Sequence, residues 1–439
     1  MRVLLRILIA TTMIGAGAVA AGDMPAPVTD ADYLELDPDQ IRLGHLLFYD
    51  PILSGNRNIS CATCHHPKFA TADGVALSLG EGGVGLGLER RATAENTPEQ
   101  RIPRNAPALF NLGAHEFTVM FHDGRIEVDP SKPGGLRTPM GAEMTQGFAN
   151  LLSAQTMFPV LSADEMAGHY SENDVSQAVR QGRITGKGGA WDLLSRRVAE
   201  TPGYAPLIKA AFPGSEELTF TDISDAIAAF VAFEWRSDSS LFDAYLRGQK
   251  VLPAEAEFGR QLFYGEAGCS SCHAGAFQTD HGFHAMGVPQ FGPGKAARFE
   301  SHARDLGRMR VTGREADAYA FRTPSMRNVT KTGPYGHTGS HADLAAFIAD
   351  HSDPKAALDR FDPAQVVLPE LPGLDDWRHF QDPAEQAALR ASIGTVPRAL
   401  SAADIMALVA FLEALEDPEA IAGRLGIPEV VPSGLDVDR

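Results

Sequence analysis

Apolar residues recur at helical spacing in a few stretches of this chain, and those stretches come in pairs. Ile41, Leu43, Gly44, Leu47 and Phe48 form one stripe, which predicts a helix over residues 39–48 that Pro51 ends. Ile223, Ile227, Phe230 and Val231 predict a second over 221–235, and Ile405, Leu408, Val409 and Leu412 a third over 401–415. The last two each open on a hydroxyl residue, Thr221 or Ser401, suited to cap the unpaired amides of a first turn. The run Gly44-His45-Leu46-Leu47-Phe48-Tyr49 returns as Gly259-Arg260-Gln261-Leu262-Phe263-Tyr264. The chain therefore reads as an internal repeat, an early and a late helix in each half, with halves at about 30–245 and 250–420.

Elsewhere the periodicity dissolves. Residues 21–40 are rich in Pro, Ala and Asp and are expected to form an extended leader. Residues 79–105, rich in Gly and Arg, are expected to form a mobile loop. Gly80-Glu81-Gly82-Gly83-Val84-Gly85 matches a dinucleotide-binding spacing, but no strand precedes it and no helical pattern follows, which excludes that use. Residues 427–439, with Pro428, Pro432 and Gly434, are expected to trail over the surface.

Residues 1–20 read as a cleavable signal: Arg2 and Arg6, an apolar run through Ile14, then the small residues Ala18-Val19-Ala20. The run is shorter than a membrane span, and no later segment is predicted to cross a membrane. The net charge is -18, and loss of the signal removes two arginines and no acids, leaving -20. So acidic a surface repels nucleic acid and anionic membranes. It would steer a basic partner such as a small cytochrome, or serve solubility alone.

The chemistry lies in Cys61-Ala62-Thr63-Cys64-His65, repeated as Cys269-Ser270-Ser271-Cys272-His273. Cys-x-x-Cys-His is the spacing at which c-type haem is attached: one helical turn brings two thiols to the two vinyl groups, and the histidine follows as iron ligand. One copy would also fit a redox dithiol or half a zinc site. Two copies consume all four cysteines, each completed by His, and point to two covalently bound c-type haems. The expected fold class is all-α, two cytochrome c-like haem domains with long loops; tetrapyrroles replacing part of the core explain how 43 Gly and 29 Pro are accommodated. Such haem is attached outside the cytoplasm, so motif and signal agree on a bacterial periplasm. Function then depends on the second axial position of each iron: two protein ligands favour electron transfer, an open face admits peroxide or oxygen. His66 adjoins His65 and does not reach the opposite face.

A set of further stretches carries a family resemblance: Leu47-Phe48-Tyr49-Asp50-Pro51, Pro103-Arg104-Asn105-Ala106-Pro107, Phe121-His122-Asp123-Gly124-Arg125, Gly141-Ala142-Glu143-Met144, Phe242-Asp243-Ala244-Tyr245-Leu246-Arg247-Gly248, and Phe321-Arg322-Thr323-Pro324 running into Pro334-Tyr335-Gly336-His337. In these the chain resembles the bacterial dihaem cytochrome c peroxidases and the MauG-type enzymes. The resemblance implies that the N-terminal haem meets peroxide and the C-terminal haem passes electrons. It places the acid–base carboxyl on Glu143, with Met140, Met144 and Phe148 to enclose it and raise its pKa; without the resemblance, Glu143 would read as a surface residue. The family's sixth ligand of the C-terminal haem, Met in the peroxidases and Tyr in MauG, falls on His351, with Met286 as its rival. Bis-histidine ligation would lower that haem's potential relative to His/Met.

The chain also departs from the family. Ser78-Leu79-Gly80-Glu81 stands where many peroxidases carry a switchable histidine, which implies a first haem open at rest. His122 replaces the Trp found between the haems, and no Gln shortly precedes Glu143. The family's calcium site maps to the Asn105 side chain and the carbonyls of Thr332 and Pro334, oxygen donors that suit Ca²⁺. A homodimer is an assembly the family implies, and Trp191, Trp235 and Trp377 are equal candidates for electron-hopping stations. Three functions follow: a hydrogen-peroxide reductase fed by a small cytochrome or other periplasmic donor, a MauG-like oxidase acting on side chains of a protein substrate, or a non-enzymatic electron carrier.

Overall fold

The computed structural model describes residues 24–295, 304–395 and 397–439; the expected signal at 1–20 lies outside the described residues. The first long helix, Pro38–Tyr49, starts on Asp37, whose carboxylate accepts the N–H of Asp39 and Gln40, with Pro38 where no amide is needed. It crosses the Phe220–Glu234 helix at Gly44, where a Cβ would overlap the carbonyl oxygen of Ala226. The second half repeats this. The Ala254–Tyr264 helix crosses Ala402–Glu413 at Gly259, where a Cβ would overlap the carbonyl oxygen of Ala407. Only glycine allows backbones so close, which explains its recurrence in the repeated hexapeptide.

A second repeated device was not apparent from the sequence. Asn111 and Asn328 are both buried and both left-handed, with φ of 61° and 59°. Asn111 donates its N–H to the Trp235 carbonyl and accepts the Ser237 N–H at 2.7 Å; Asn328 donates to the Leu415 carbonyl and accepts the Asp417 N–H at 2.7 Å. Each asparagine thus ties off the end of the late helix in its own half.

The caps follow local chemistry. Ser401 closes a capping box with Asp404, as its position suggests. The other late helix is capped by Thr219 and not Thr221, because Asp222 stands three residues after Thr219, whereas Ser224 stands three after Thr221. Leu43, Leu47, Phe48, Tyr49, Ile223, Ile227, Phe230 and Trp235 form one core, and Phe263, Tyr264, Leu408, Phe411, Leu412 and Leu415 another. Ile405 and Val409, expected to face inward, are only half-buried. The first core also takes in Phe277, Ala420 and Val431 from later in the chain.

The architecture is mostly helical, and the all-α expectation needs correction by small antiparallel sheets: Gly83–Val84 with Arg91–Ala92, the three strands Val119–Met120, Ile126–Val128 and Leu136–Arg137, and Phe283–His284 with Phe321–Arg322. They are loop segments whose buried amides pair with one another, too short to show a period of two. The loop at 79–105, expected to be mobile, is packed: Glu81 is fully buried and accepts from the amides of Asn56, Asn58 and Asn96. The leader is interrupted by a turn at Asp30–Asp32, and the tail docks against the first half instead of trailing, since Ser433 supplies a partner for buried Asp50. No helix among the described residues is long and apolar enough to cross a membrane.

Candidate functional site

Residues Cys61–Cys64 make a single helical turn after Ser60, and His65 follows as its cap. Burial pushes the Cys61 and Cys64 thiols up to about 12 and Cys269 up to about 11. A redox dithiol or a zinc site wants easily formed thiolates, so these environments suit thiols consumed by covalent attachment. The His65 ring commits Nδ1 to the Thr71 carbonyl at 3.0 Å, and His273 commits Nδ1 to the Gln278 carbonyl at 3.2 Å. Burial lowers both pKa values, which keeps the imidazoles neutral and leaves Nε2 as the free donor nitrogen. This is the arrangement an axial iron ligand requires, so the residues present fit two c-type haems.

His351 sits near the end of the Leu344–Ser352 helix with Nδ1 turned to the Phe347 carbonyl at 3.1 Å. Burial, and next the charge of His273, push it down to about 4. Its helix is tethered by Asp350, which pairs with His341 Nε2 at 2.8 Å and with Arg360 at 2.6 Å. The rival, Met286, has its sulfur engaged by the Thr395 hydroxyl at 3.2 Å. His65 has no imidazole among the groups that perturb it, and Glu81, held by its three asparagines, is not a free side chain.

Glu143 departs from its expected surroundings. It ends the turn Gly141–Glu143 and is exposed. Met144 and Phe148 instead line a cavity of about 320 Å³ with Val128, Leu136 and Leu151, which Glu143 does not enter. Gly141, with φ of 53°, turns the chain outward just before it.

Between the halves lies a cluster that spacing could not reveal. Arg104 holds Asp305 through two bonds of 2.6 and 2.7 Å and Asp123 at 2.8 Å, all three buried. His122 packs here with its pKa far below normal, through burial first and then the charges of Arg104 and His337. His337 lies flat on Phe321, centroids 3.5 Å apart. Arg322 donates to the carbonyls of Phe121 and Thr323, and burial alone pushes it down to about 10. Asp73, buried with one oxygen unpartnered, is pushed up to about 7 by burial. No sequence pattern marked it.

Of the calcium donors, Asn105 donates its carboxamide N–H to the Val75 carbonyl at 2.8 Å, which leaves Oδ1 as its possible ligand atom; its backbone N–H meets the His337 carbonyl at 2.9 Å. That contact brings it to the loop carrying Thr332 and Pro334. Trp235 is fully buried among Phe48 and Phe230, Trp191 donates to the Met157 carbonyl at 2.9 Å, and half-buried Trp377 packs on Phe291.

Comparison with known proteins gives a consistent picture. The profile of the family described as di-haem cytochrome c peroxidase matches residues 38–251. The chain is 31% identical to the methylamine utilization protein MauG of Methylorubrum extorquens over 319 residues, 72% of this chain and 69% of that protein. It is 30% identical to the cytochrome c551 peroxidase of Nitrosomonas europaea over 75% of this chain and 77% of that one. Among solved structures, the dihaem peroxidase BthA of Burkholderia thailandensis superposes with a TM-score of 0.55 at 22% identity, covering 94% of each chain. A MauG-like protein associated with microbial copper homeostasis superposes with a TM-score of 0.56 at 24% identity, covering 92% of this chain and 96% of that one.

Proposed function

The chain belongs to the dihaem cytochrome c peroxidase and MauG family, an oxidoreductase acting on peroxide, and on that premise we propose that it reduces hydrogen peroxide to water in the periplasm. Cys269 and Cys272 would hold the haem that takes electrons from a small cytochrome, and Cys61 and Cys64 the haem that meets peroxide. The observation that supports this reading is an asymmetry among the described residues: the charge of His273 bears on His351, and no imidazole bears on His65. Each haem, when bound, supplies an iron that exchanges single electrons, and one with an open face takes an oxidant.

The protein residues do the rest. His65 and His273 are held in one tautomer by the Thr71 and Gln278 carbonyls. Glu143 takes the proton of the attacking peroxide oxygen at its carboxylate and returns it to the leaving one. The balance is H₂O₂ plus two protons and two electrons to two waters, and the exposure of Glu143 gives it exchange with solvent protons. His122, His337 and Phe321 occupy the space between the halves in place of an indole. Asn105 Oδ1 and the carbonyls of Thr332 and Pro334 would hold Ca²⁺.

His351 favours a second reading, a MauG-like oxidase of a partner protein, because a second imidazole disfavours the reduced haem that a donor would have to fill. One experiment separates these. The resting EPR spectrum is recorded, peroxide is added, and reduced cytochrome c is offered. Mixed high-spin and low-spin signals with steady turnover support the peroxidase. A long-lived oxidised state that ignores the donor supports the protein oxidase, and two low-spin signals inert to peroxide leave only the electron carrier.

A further inference from the structure

Residues 417–439 leave the second core and return to the first half of the molecule. The Glu234 carboxylate accepts the N–H of Leu425 and Gly426, the Gly426 carbonyl meets His45 Nε2 at 2.7 Å, and the Ser433 hydroxyl donates to Asp50 at 2.7 Å. Near its end stands Asp438, whose carboxylate accepts the hydroxyl of Thr63 at 2.5 Å. Thr63 lies inside the Cys61–Cys64 turn and is 1% exposed, and the same hydroxyl oxygen accepts the Ser60 N–H at 3.0 Å. A hydroxyl that gives its one hydrogen to a carboxylate becomes a better acceptor, so each bond strengthens the other. Asp438 also places its charge near buried Arg90 and His66.

Among the described residues the hydroxyl of the second motif's turn donates to no carboxylate. Ser271, the counterpart of Thr63, is exposed and donates to the Gly268 carbonyl of its own turn at 2.7 Å.

We propose that Asp438 is a positioning residue of the first attachment turn: the C-terminal segment is a strap that fixes Cys61–His65 through Thr63 and sets a negative charge beside that site. This rests on the reading that Cys61 and Cys64 carry a haem. A carboxylate beside the site stabilises its oxidised, more positive state, and so lowers the potential of the first haem relative to one without it.

The test uses the full-length holoprotein, with hydrogen exchange over residues 61–66 and separate midpoint potentials for the two haems. Thr63→Val should speed exchange there about tenfold, the loss of one charge-assisted bond. Thr63→Ser should behave as the parent. Asp438→Asn keeps an acceptor, so exchange should stay slow while the first haem's potential rises and the second stays in place. Unchanged exchange in Thr63→Val, or potentials that move together or not at all in Asp438→Asn, overturns the proposal. Peptide mass analysis of the same samples separates the two premises: absence of haem on the peptide spanning Cys61 to His65 refutes the attachment reading itself, and haem present with unchanged exchange refutes the strap alone.

Discussion

Glu143→Gln removes a titratable proton and little else. If this residue moves the proton during peroxide cleavage, the rate of reaction with peroxide should fall about 100-fold or more with both haems retained, as followed by stopped-flow absorbance. A parental rate would take the role from it. If His351 is the sixth ligand, His351→Ala should convert the second haem from low to high spin in EPR. A silent result there would return attention to Met286. The attachment residues were legible because their chemistry is local, five consecutive positions on one turn. The Thr71 and Gln278 carbonyls that orient the histidines were not, since any backbone carbonyl offers the same atom and only the loop path selects one. The enclosure expected for Glu143 failed for the same reason: Gly141 turns the chain, and no side-chain pattern records where the next residues point.

The paired helices show what periodicity does record. Their apolar stripes were readable, and so was the recurrence of glycine at one position, yet its meaning came only from the crossing. In an exposed helix, replacing Gly by Ala gains about 1 kcal/mol. At Gly44 or Gly259 the new methyl meets a carbonyl of the facing helix, and overpacking of that kind costs about 1–3 kcal/mol or more. Gly44→Ala and Gly259→Ala should therefore lower the denaturant midpoint, and a raised midpoint would show that the helices separate without cost. The Thr219 cap was missed by two residues although both signals lay in the sequence; hydroxyls at 219 and 221 look alike until the acid three positions on is counted.

For the molecule as a whole, the Arg104, Asp123 and Asp305 cluster joins distant parts of the sequence, Arg104 and Asp305 being separated by 201 positions. Burial alone would raise Asp305, but the Arg104 guanidinium outweighs it and holds the carboxyl well below its ordinary value. A lowered acid contributes stability that is complete above its unfolded value of about 4 and is lost as pH falls through the folded one. Asp305→Asn should cost about 3–5 kcal/mol at pH 7, because it leaves a buried guanidinium short of a partner. The gap between variant and parent in urea titrations should narrow as the pH drops below about 4. A constant gap would mean that Asp305 is not ionised in the folded state. The amino-acid order by itself determined the two attachment motifs, the helix pairs and the duplication, because each is written in residues that are close in the chain. Tertiary structure alone decided that Arg104 finds Asp305 and that Asp438 reaches Thr63. Those contacts depend on how long loops close, and closure is set by the sum of many weak backbone and packing terms that leave no local mark.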